Sequence, residues 1–261
     1  MSEIAWLELQ GVVNMRDLGG TPTSDGTVVK PGRLLRSDNL QDLTAADVRQ
    51  LVEQVGVSDV IDLRSVTEVD AEGPGPLMRR ADVRVQHFSL VRDRNRAATA
   101  EDTLVLARKD VDTTDPAYWV RHYLGYLANR PESVVAALQA VATASGAAVV
   151  HCAAGKDRTG TIVGLALSVV GVADDLIVAD YVASAERIER IIDRLKVRPA
   201  YAALMKAELA EQVPQAATME RLFGTLHNEY GGALGWLAQH GWTDEDTSTL
   251  RHKLLGETVH P

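Results

Sequence analysis

The only cysteine of this 261-residue chain lies in "HCAAGKDRTG" (His151 to Gly160), and an arginine, Arg158, follows it at the sixth position. "GAAVV" before the motif reads as a buried strand ending at His151. "TIVGLALSVVG" after it reads as a buried helix opening near Arg158 to Gly160. The free N–H groups of such a helix point back into the loop and form a nest for an anion. A thiol at a helix N-terminus ionises more readily than a free one, and a thiolate attacks without a neighbouring base. Arg158 closes the loop on itself, and its planar fork matches two oxygens of a phosphoryl group, a fit lysine cannot reproduce. With Ala153, Ala154, Gly155, Lys156, Asp157 and Thr159 it makes a cradle for the equatorial oxygens of a phosphoryl group in transfer. Thr159 could also donate its hydroxyl to the sulfur. Gly155 and Gly160 relieve crowding at the turn.

Rival chemistries fit less well. A nucleotide-binding loop of the Gly-x4-Gly-Lys-[Ser/Thr] type needs Gly at 150 and Ser or Thr at 157, where the chain has Val150 and Asp157. Zinc is a poor fit because His151 and Cys152 are adjacent and point to opposite sides of a strand end. A structural cysteine beside a surface turn does not explain the arginine and the flanking glycines. The expectation is a metal- and cofactor-independent reaction.

A net charge of −9 argues against bulk attraction to nucleic acid or acidic membranes, so a phosphate-bearing partner must be held by a local positive site. One cysteine makes no internal disulfide, which suits a reducing compartment, the cytoplasm by default. "MSEIAWLELQ" has no signal-peptide pattern, and the longest apolar stretch, Ile162 to Ala173, is too short for stable membrane insertion.

The elements that must position the loop can be read along the chain. "NMRDLGG" (Asn14 to Gly20) and "TPTSDGTVVKPGRLLRSDNL" (Thr21 to Leu40) read as loops around short strands. Thr44 with Asp47 forms a capping-box pattern and Gly56 suits a helix end, so Thr44 to Val55 is a helix. Val57 to Leu63 is a short buried strand followed by a charged turn, and Val83 to Leu90 alternates as a second strand. Val91 to Thr114 is weakly periodic: a mobile loop or a poorly anchored helix. Asp115-Pro116 opens a helix to about Asn129, and Pro131 opens another that Gly146 ends. Ala147 to His151 is a strand and Gly160 to Val170 a helix. Beyond about Asp174 the chain is a helical extension with stops at Pro199, Pro214, Gly231 and Gly241. The predicted fold is α/β, a mainly parallel central sheet flanked by helices, in a single domain over 1–261.

The motif resembles the signature of the cysteine-dependent protein tyrosine phosphatases, in the bacterial branch typified by the mycobacterial tyrosine phosphatase B. "NMRDLGG", "GRLLRSDNL", "VIDLRS", "IVADY" and "EYGGALGWL" look like that branch in the same order. The resemblance implies Cys152 as the nucleophile of a phosphocysteine intermediate and Arg158 as the phosphate clamp. It implies phosphotyrosine substrates, often with phosphoserine, phosphothreonine and phosphoinositides, and helices covering the site. In that branch some members act outside their cell without a cleavable signal.

A phosphatase also needs a general acid for the leaving oxygen. There is no "WPD" tripeptide. Asp62, at a strand end on the same sheet edge, is one candidate, and the resemblance favours it; its alternative is a turn acceptor tied to Arg64. Asp157 is the competitor, or else the partner of a neighbouring arginine. Lys156 would add charge at the pocket mouth, where a second phosphate could meet it, or be a solvated surface lysine. Arg16 with Asp17 is expected to pair or brace the loop; Arg36, Ser37 and Asp38 carry the same ambiguity. Arg92, Arg94 and Arg96 would greet an anion or sit in a solvated loop. His151 is expected to bond loop backbone. Two alternatives to a protein phosphatase stand beside it: a phosphoinositide phosphatase, and a non-catalytic phosphate-reading module, which would usually have lost the Cys or the Arg.

Overall fold

The computed structural model describes residues 4–92, 116–201 and 208–256. Its sheet has six strands: β1 (Ala5–Trp6), β2 (Arg16–Asp17), β3 (Leu34–Ser37), β4 (Val57–Asp62), β5 (Arg84–His87) and β6 (Ala147–His151), in the order β1-β2-β3-β6-β4-β5. The four strands from β3 to β5 are parallel, and β1 and β2 add an antiparallel edge. β6 is central and buried along its whole length, which is why it reads as an unbroken apolar run. Ala148 and Val150 face one core and Ala147 and Val149 the other, so helices must cover both faces. The expected mainly parallel sheet flanked by helices is what the chain forms.

α1 (Ala45–Arg49) begins at the predicted capping box of Thr44 and Asp47, and continues as a π-helical stretch to Val55 before Gly56 stops it in the left-handed region. The charged turn expected after β4 is instead a helix, α2 (Val66–Glu72), opened by a capping box of Ser65 and Glu68. That Ser-x-x-Glu signal was present in the sequence. α3 (Pro116–Asn129) and α4 (Pro131–Ala142) start at their prolines. α5 (Asp157–Val169) begins before the expected Gly160, which brings Asp157 and Arg158 into its first turn. β5 is shorter than the alternating run predicted, as befits a strand at the sheet edge. The tail forms α6 (Asp174–Ala183), α7 (Ile188–Lys196), α8 (Leu209–Gln212), α9 (Ala216–Tyr230), α10 (Ala233–Gln239) and α11 (Asp244–Leu255). Met219, Phe223, Trp236 and Leu250 of this tail share one core with Ile162 and Leu165 of α5. Of Val91 to Thr114, all but Val91 and Arg92 lies outside the described residues, Arg94 and Arg96 included. Among the described residues no helix is long and apolar enough to cross a membrane.

Candidate active site

The carboxyl ends of β3, β6 and β4 lie side by side, with Ser37, His151 and Asp62 in register. From there the 152–156 loop is held by its carbonyls. Ala153 accepts from the Asn39 N–H at 2.8 Å, Ala154 from Asn14 Nδ2 at 2.9 Å, and Gly155 from Arg36 Nη2 at 2.7 Å. With the carbonyls tied outward, the amides face the other way. No backbone carbonyl among the described residues accepts from the N–H groups of Ala153 to Thr159. Gly155 makes this turn at φ +67, and a Cβ there would overlap the Ser37 carbonyl, so only glycine fits.

Cys152 is 2% exposed and Arg158, in the first turn of α5, is 5% exposed. Arg158 is gripped from behind: Nη1 donates to Glu68 Oε2 at 2.6 Å and Nη2 to Oε1 at 2.9 Å. Glu68 is fully buried, and the same Oε2 accepts the Ser65 N–H at 2.8 Å. Burial alone would raise the Glu68 carboxyl, but Arg158 and the two Ser65 hydrogen bonds outweigh it and hold it below the usual range. Burial would likewise strip Arg158 of its proton. Glu68 and the Cys152 sulfur, close enough to act on it, keep the guanidinium charged. One loop thus carries the sulfur, a guanidinium locked by Glu68 and, among the described residues, seven amides without a backbone acceptor.

The tyrosine phosphatase family model matches residues 7–256, nearly the whole chain. The chain belongs to the tyrosine phosphatase family. The triple specificity protein phosphatase PtpB of Mycobacterium tuberculosis is 28% identical, over 95% of this chain and 99% of that protein. A tyrosine-protein phosphatase of Nostoc commune is 30% identical, over 90% of this chain and 78% of its own length. A putative tyrosine-protein phosphatase of Cupriavidus necator is 33% identical over 69% of this chain and 63% of its own. The solved structure of P. aeruginosa TpbA aligns over 79% of this chain and 91% of its own at 17% identity, with a TM-score of 0.31. The present chain is thus a cysteine-dependent phosphoric monoester hydrolase of the tyrosine phosphatase family.

The phosphatase's two candidate acids differ in setting. Asp62 is buried and gripped by Arg64, whose Nη2 donates to Oδ2 at 2.6 Å and whose backbone N–H donates to Oδ1 at 3.0 Å. Burial would raise this carboxyl, but the His151 ring and the Arg64 fork hold it well below the usual range. His151 itself is pushed down to about 4 by burial, so its ring is neutral at pH 7 and Arg64 is the partner that matters there. The ring lies 3.2 Å from the Cys152 carbonyl through Nδ1, as expected for a residue that bonds loop backbone. Asp157 is more open, its side chain 21% exposed. Among the described residues it pairs with no arginine. Its Oδ1 accepts from the Tyr123 hydroxyl and lies 3.5 Å from Lys156 Nζ.

Lys156 stands neither at an open mouth nor in solvent. It is buried, donates to the Gln212 carbonyl at 2.8 Å, and lies 5.1 Å from the Trp119 ring centre. The Thr159 hydroxyl is buried and has no hydrogen-bond partner among the described residues. Arg16 and Asp17 do not pair: Arg16 reaches Asp180 at 2.7 Å, and Asp17 accepts the Gly19 and Gly32 N–H groups. Arg36 holds the other oxygen of Asp180 while bracing Gly155, so "IVADY" and "RLLRSDNL" meet beneath the loop. Asp38 accepts from the Val13 and Asn14 N–H groups and from Arg194. Arg92 donates to the Asn129 carbonyl at 2.7 Å, at the end of α3. Above the loop, Ile188, Ile191 and Ile192 of α7 pack with Tyr201 on Ala153, and Arg198 ties this cover to Asp42 and Glu72.

The sequence reading missed Glu68, Asn14 and the Tyr123–Asp157 contact. Only Glu68 had a local signal, its capping box.

Proposed function

We propose that this protein hydrolyses phosphotyrosine through a phosphocysteine on Cys152, with Arg158 and the amides of Ala153 to Thr159 binding the phosphoryl oxygens. The observation that carries this reading is the convergence of free amides and a Glu68-locked guanidinium on the loop that holds the sulfur. Cys152 Sγ attacks phosphorus in line. The bond to the ester oxygen breaks, and that oxygen takes a proton. Water then attacks the phosphocysteine, returning the thiolate and releasing inorganic phosphate.

Asp157 is the proton donor. It stands in the first turn of α5 beside Arg158, with its Oδ2 free of protein partners among the described residues. Asp62 instead orients Arg64 and His151 under the loop. A carboxylate held ionised by a fork has no proton to give at neutral pH.

Phosphoserine, phosphothreonine and phosphoinositides extend the substrate range, by analogy with the triple specificity named for the Mycobacterium relative. The tail from Asp174 belongs to the same catalytic unit, since it completes the core on which α5 rests. A lone thiol that must stay reduced to act suits the cytoplasm.

Turnover of para-nitrophenyl phosphate with a chelator present tests the mechanism. Activity should persist in the wild type and vanish in Cys152→Ser and Arg158→Ala; retained turnover in Cys152→Ser would remove the covalent route. Asp157→Asn should abolish the basic limb of the pH–rate profile while Asp62→Asn keeps it. A screen of phosphopeptides against phosphoinositides reads the substrate range, and exclusive turnover of lipids would displace the phosphotyrosine assignment.

A further inference from the structure

Two buried tyrosines from different helices converge on Asp157, and the chemistry so far has not used them. Tyr123 of α3 is wholly buried, and its hydroxyl donates to Asp157 Oδ1. Tyr181 of α6 is also buried, and its hydroxyl lies 2.8 Å from that of Tyr123. A phenol has one proton to give. With the transferable proton on Oδ2, Oδ1 accepts in the acid and in its conjugate base alike, so the Tyr123 hydroxyl donates to Asp157 and Tyr181 must donate to the Tyr123 oxygen. The chain therefore has one direction: Tyr181 to Tyr123 to Asp157. It occupies Oδ1, which Lys156 also approaches, and leaves Oδ2 as the oxygen able to carry a transferable proton.

We infer that Tyr123, backed by Tyr181, is a positioning residue that presents one oxygen of Asp157 to the leaving group. The inference rests on Asp157 being the acid. Around this carboxyl lie Tyr123 and Tyr126 from α3, Tyr181 from α6 and Lys156 from its own loop, and Tyr126 in turn feels Arg158, Cys152 and Glu68. Arg36 of β3 acts on Tyr181 from the far side. Burial and the Asp157 charge push both Tyr123 and Tyr181 above the usual phenol range, so both remain neutral donors wherever the enzyme works. The tyrosines do not themselves exchange protons with substrate. Their effect passes through Asp157.

The sign of the test follows. A hydrogen bond donated to a carboxylate favours its charged form, so deleting the donor lets the acid keep its proton to higher pH. Phenyl phosphate, whose leaving group is as basic as tyrosine, depends on the acid more than para-nitrophenyl phosphate does. In Tyr123→Phe the basic limb of kcat should move up. kcat on phenyl phosphate should fall about tenfold with KM changed less than about twofold. In an Asp157→Asn background the same substitution should cost less than about twofold, because the group it positions is gone. An unmoved limb, or an equal tenfold loss in both backgrounds, overturns the inference. A basic limb that survives Asp157→Asn instead removes the acid assignment beneath it, a distinguishable failure. Should Tyr123→Phe give no cooperative melt, Tyr181→Phe carries the test, since it weakens the donor without deleting it. A smaller upward move of the limb supports the chain, and a profile superimposable on wild type refutes it.

Discussion

Glu68→Gln probes the lock behind the phosphate clamp. The wild-type carboxylate gives each of its oxygens to one arm of Arg158, and Oε2 also closes the capping box of α2. Glutamine can keep its oxygen at the Oε2 position, preserving the Ser65 contact, but its NH₂ then faces Arg158 Nη2, donor against donor. Both side chains are buried, so the guanidinium is left with an uncompensated charge. Breaking one side of a buried pair costs about 3–5 kcal/mol. The retained Nη1 and Ser65 bonds put this case at the low end, about 3 kcal/mol. For a chain of this size that lowers Tm by about 6–12 °C. A misaimed clamp should lower kcat/KM by about 10²-fold. Inorganic phosphate should recover part of the Tm loss, because the dianion supplies the charge that Glu68 no longer does. The pH dependence has a definite sign. The folded Glu68 pKa is depressed, so its contribution is present above the unfolded value of about 4.5 and is lost as pH falls through the folded value. The difference in stability between wild type and Glu68→Gln should therefore narrow below about pH 4.5. Differential scanning calorimetry with and without phosphate, beside steady-state kinetics, reads all three effects. A variant within about 2 °C of wild-type Tm and within about threefold in kcat/KM would refute the view that Glu68 holds the clamp.

Three further outcomes follow from the same geometry. Gly155→Ala must place a Cβ against the Ser37 carbonyl at a left-handed φ, a conformation that alone costs about 1–2 kcal/mol; phosphate should no longer raise its Tm, and preserved phosphate protection would contradict the nest. His151, held down to about 4 by burial, should show ring resonances that do not titrate between pH 5.5 and 8, within the range bracketed by the usual His value of about 6.5. A midpoint near 6.5 in the NMR titration would contradict its burial. Arg198→Ala removes the ties from the cover to Asp42 and Glu72, each worth up to about 1 kcal/mol, so alkylation of Cys152 by iodoacetamide should quicken about fivefold; an unchanged rate would show that α7 and its flanks do not control access.

The sequence by itself determined the chemistry. Cys152, Gly155 and Arg158 lie within seven residues, between an apolar strand and an apolar helix, so local geometry brings them together whatever else the chain does. The helix starts at Pro116 and Pro131, the Thr44 capping box and the stop at Gly56 were legible for the same reason: each is a short-range event. The tertiary structure alone decided which charges meet. Glu68 reaches Arg158 across 90 positions, and Asp180 joins Arg16 and Arg36 across 164 and 144. In the sequence Asp62 and Asp157 both stand as candidate acids, with the resemblance favouring Asp62. They part only when folding commits one to Arg64 and places the other, partly exposed, against Tyr123. Lys156, which the sequence left open between a pocket-mouth charge and a solvated surface lysine, is covered by Gln212 and Trp119. A loop's own conformation is written in adjacent residues, whereas the partner of a buried charge is chosen by how distant segments stack, and no local pattern encodes that choice.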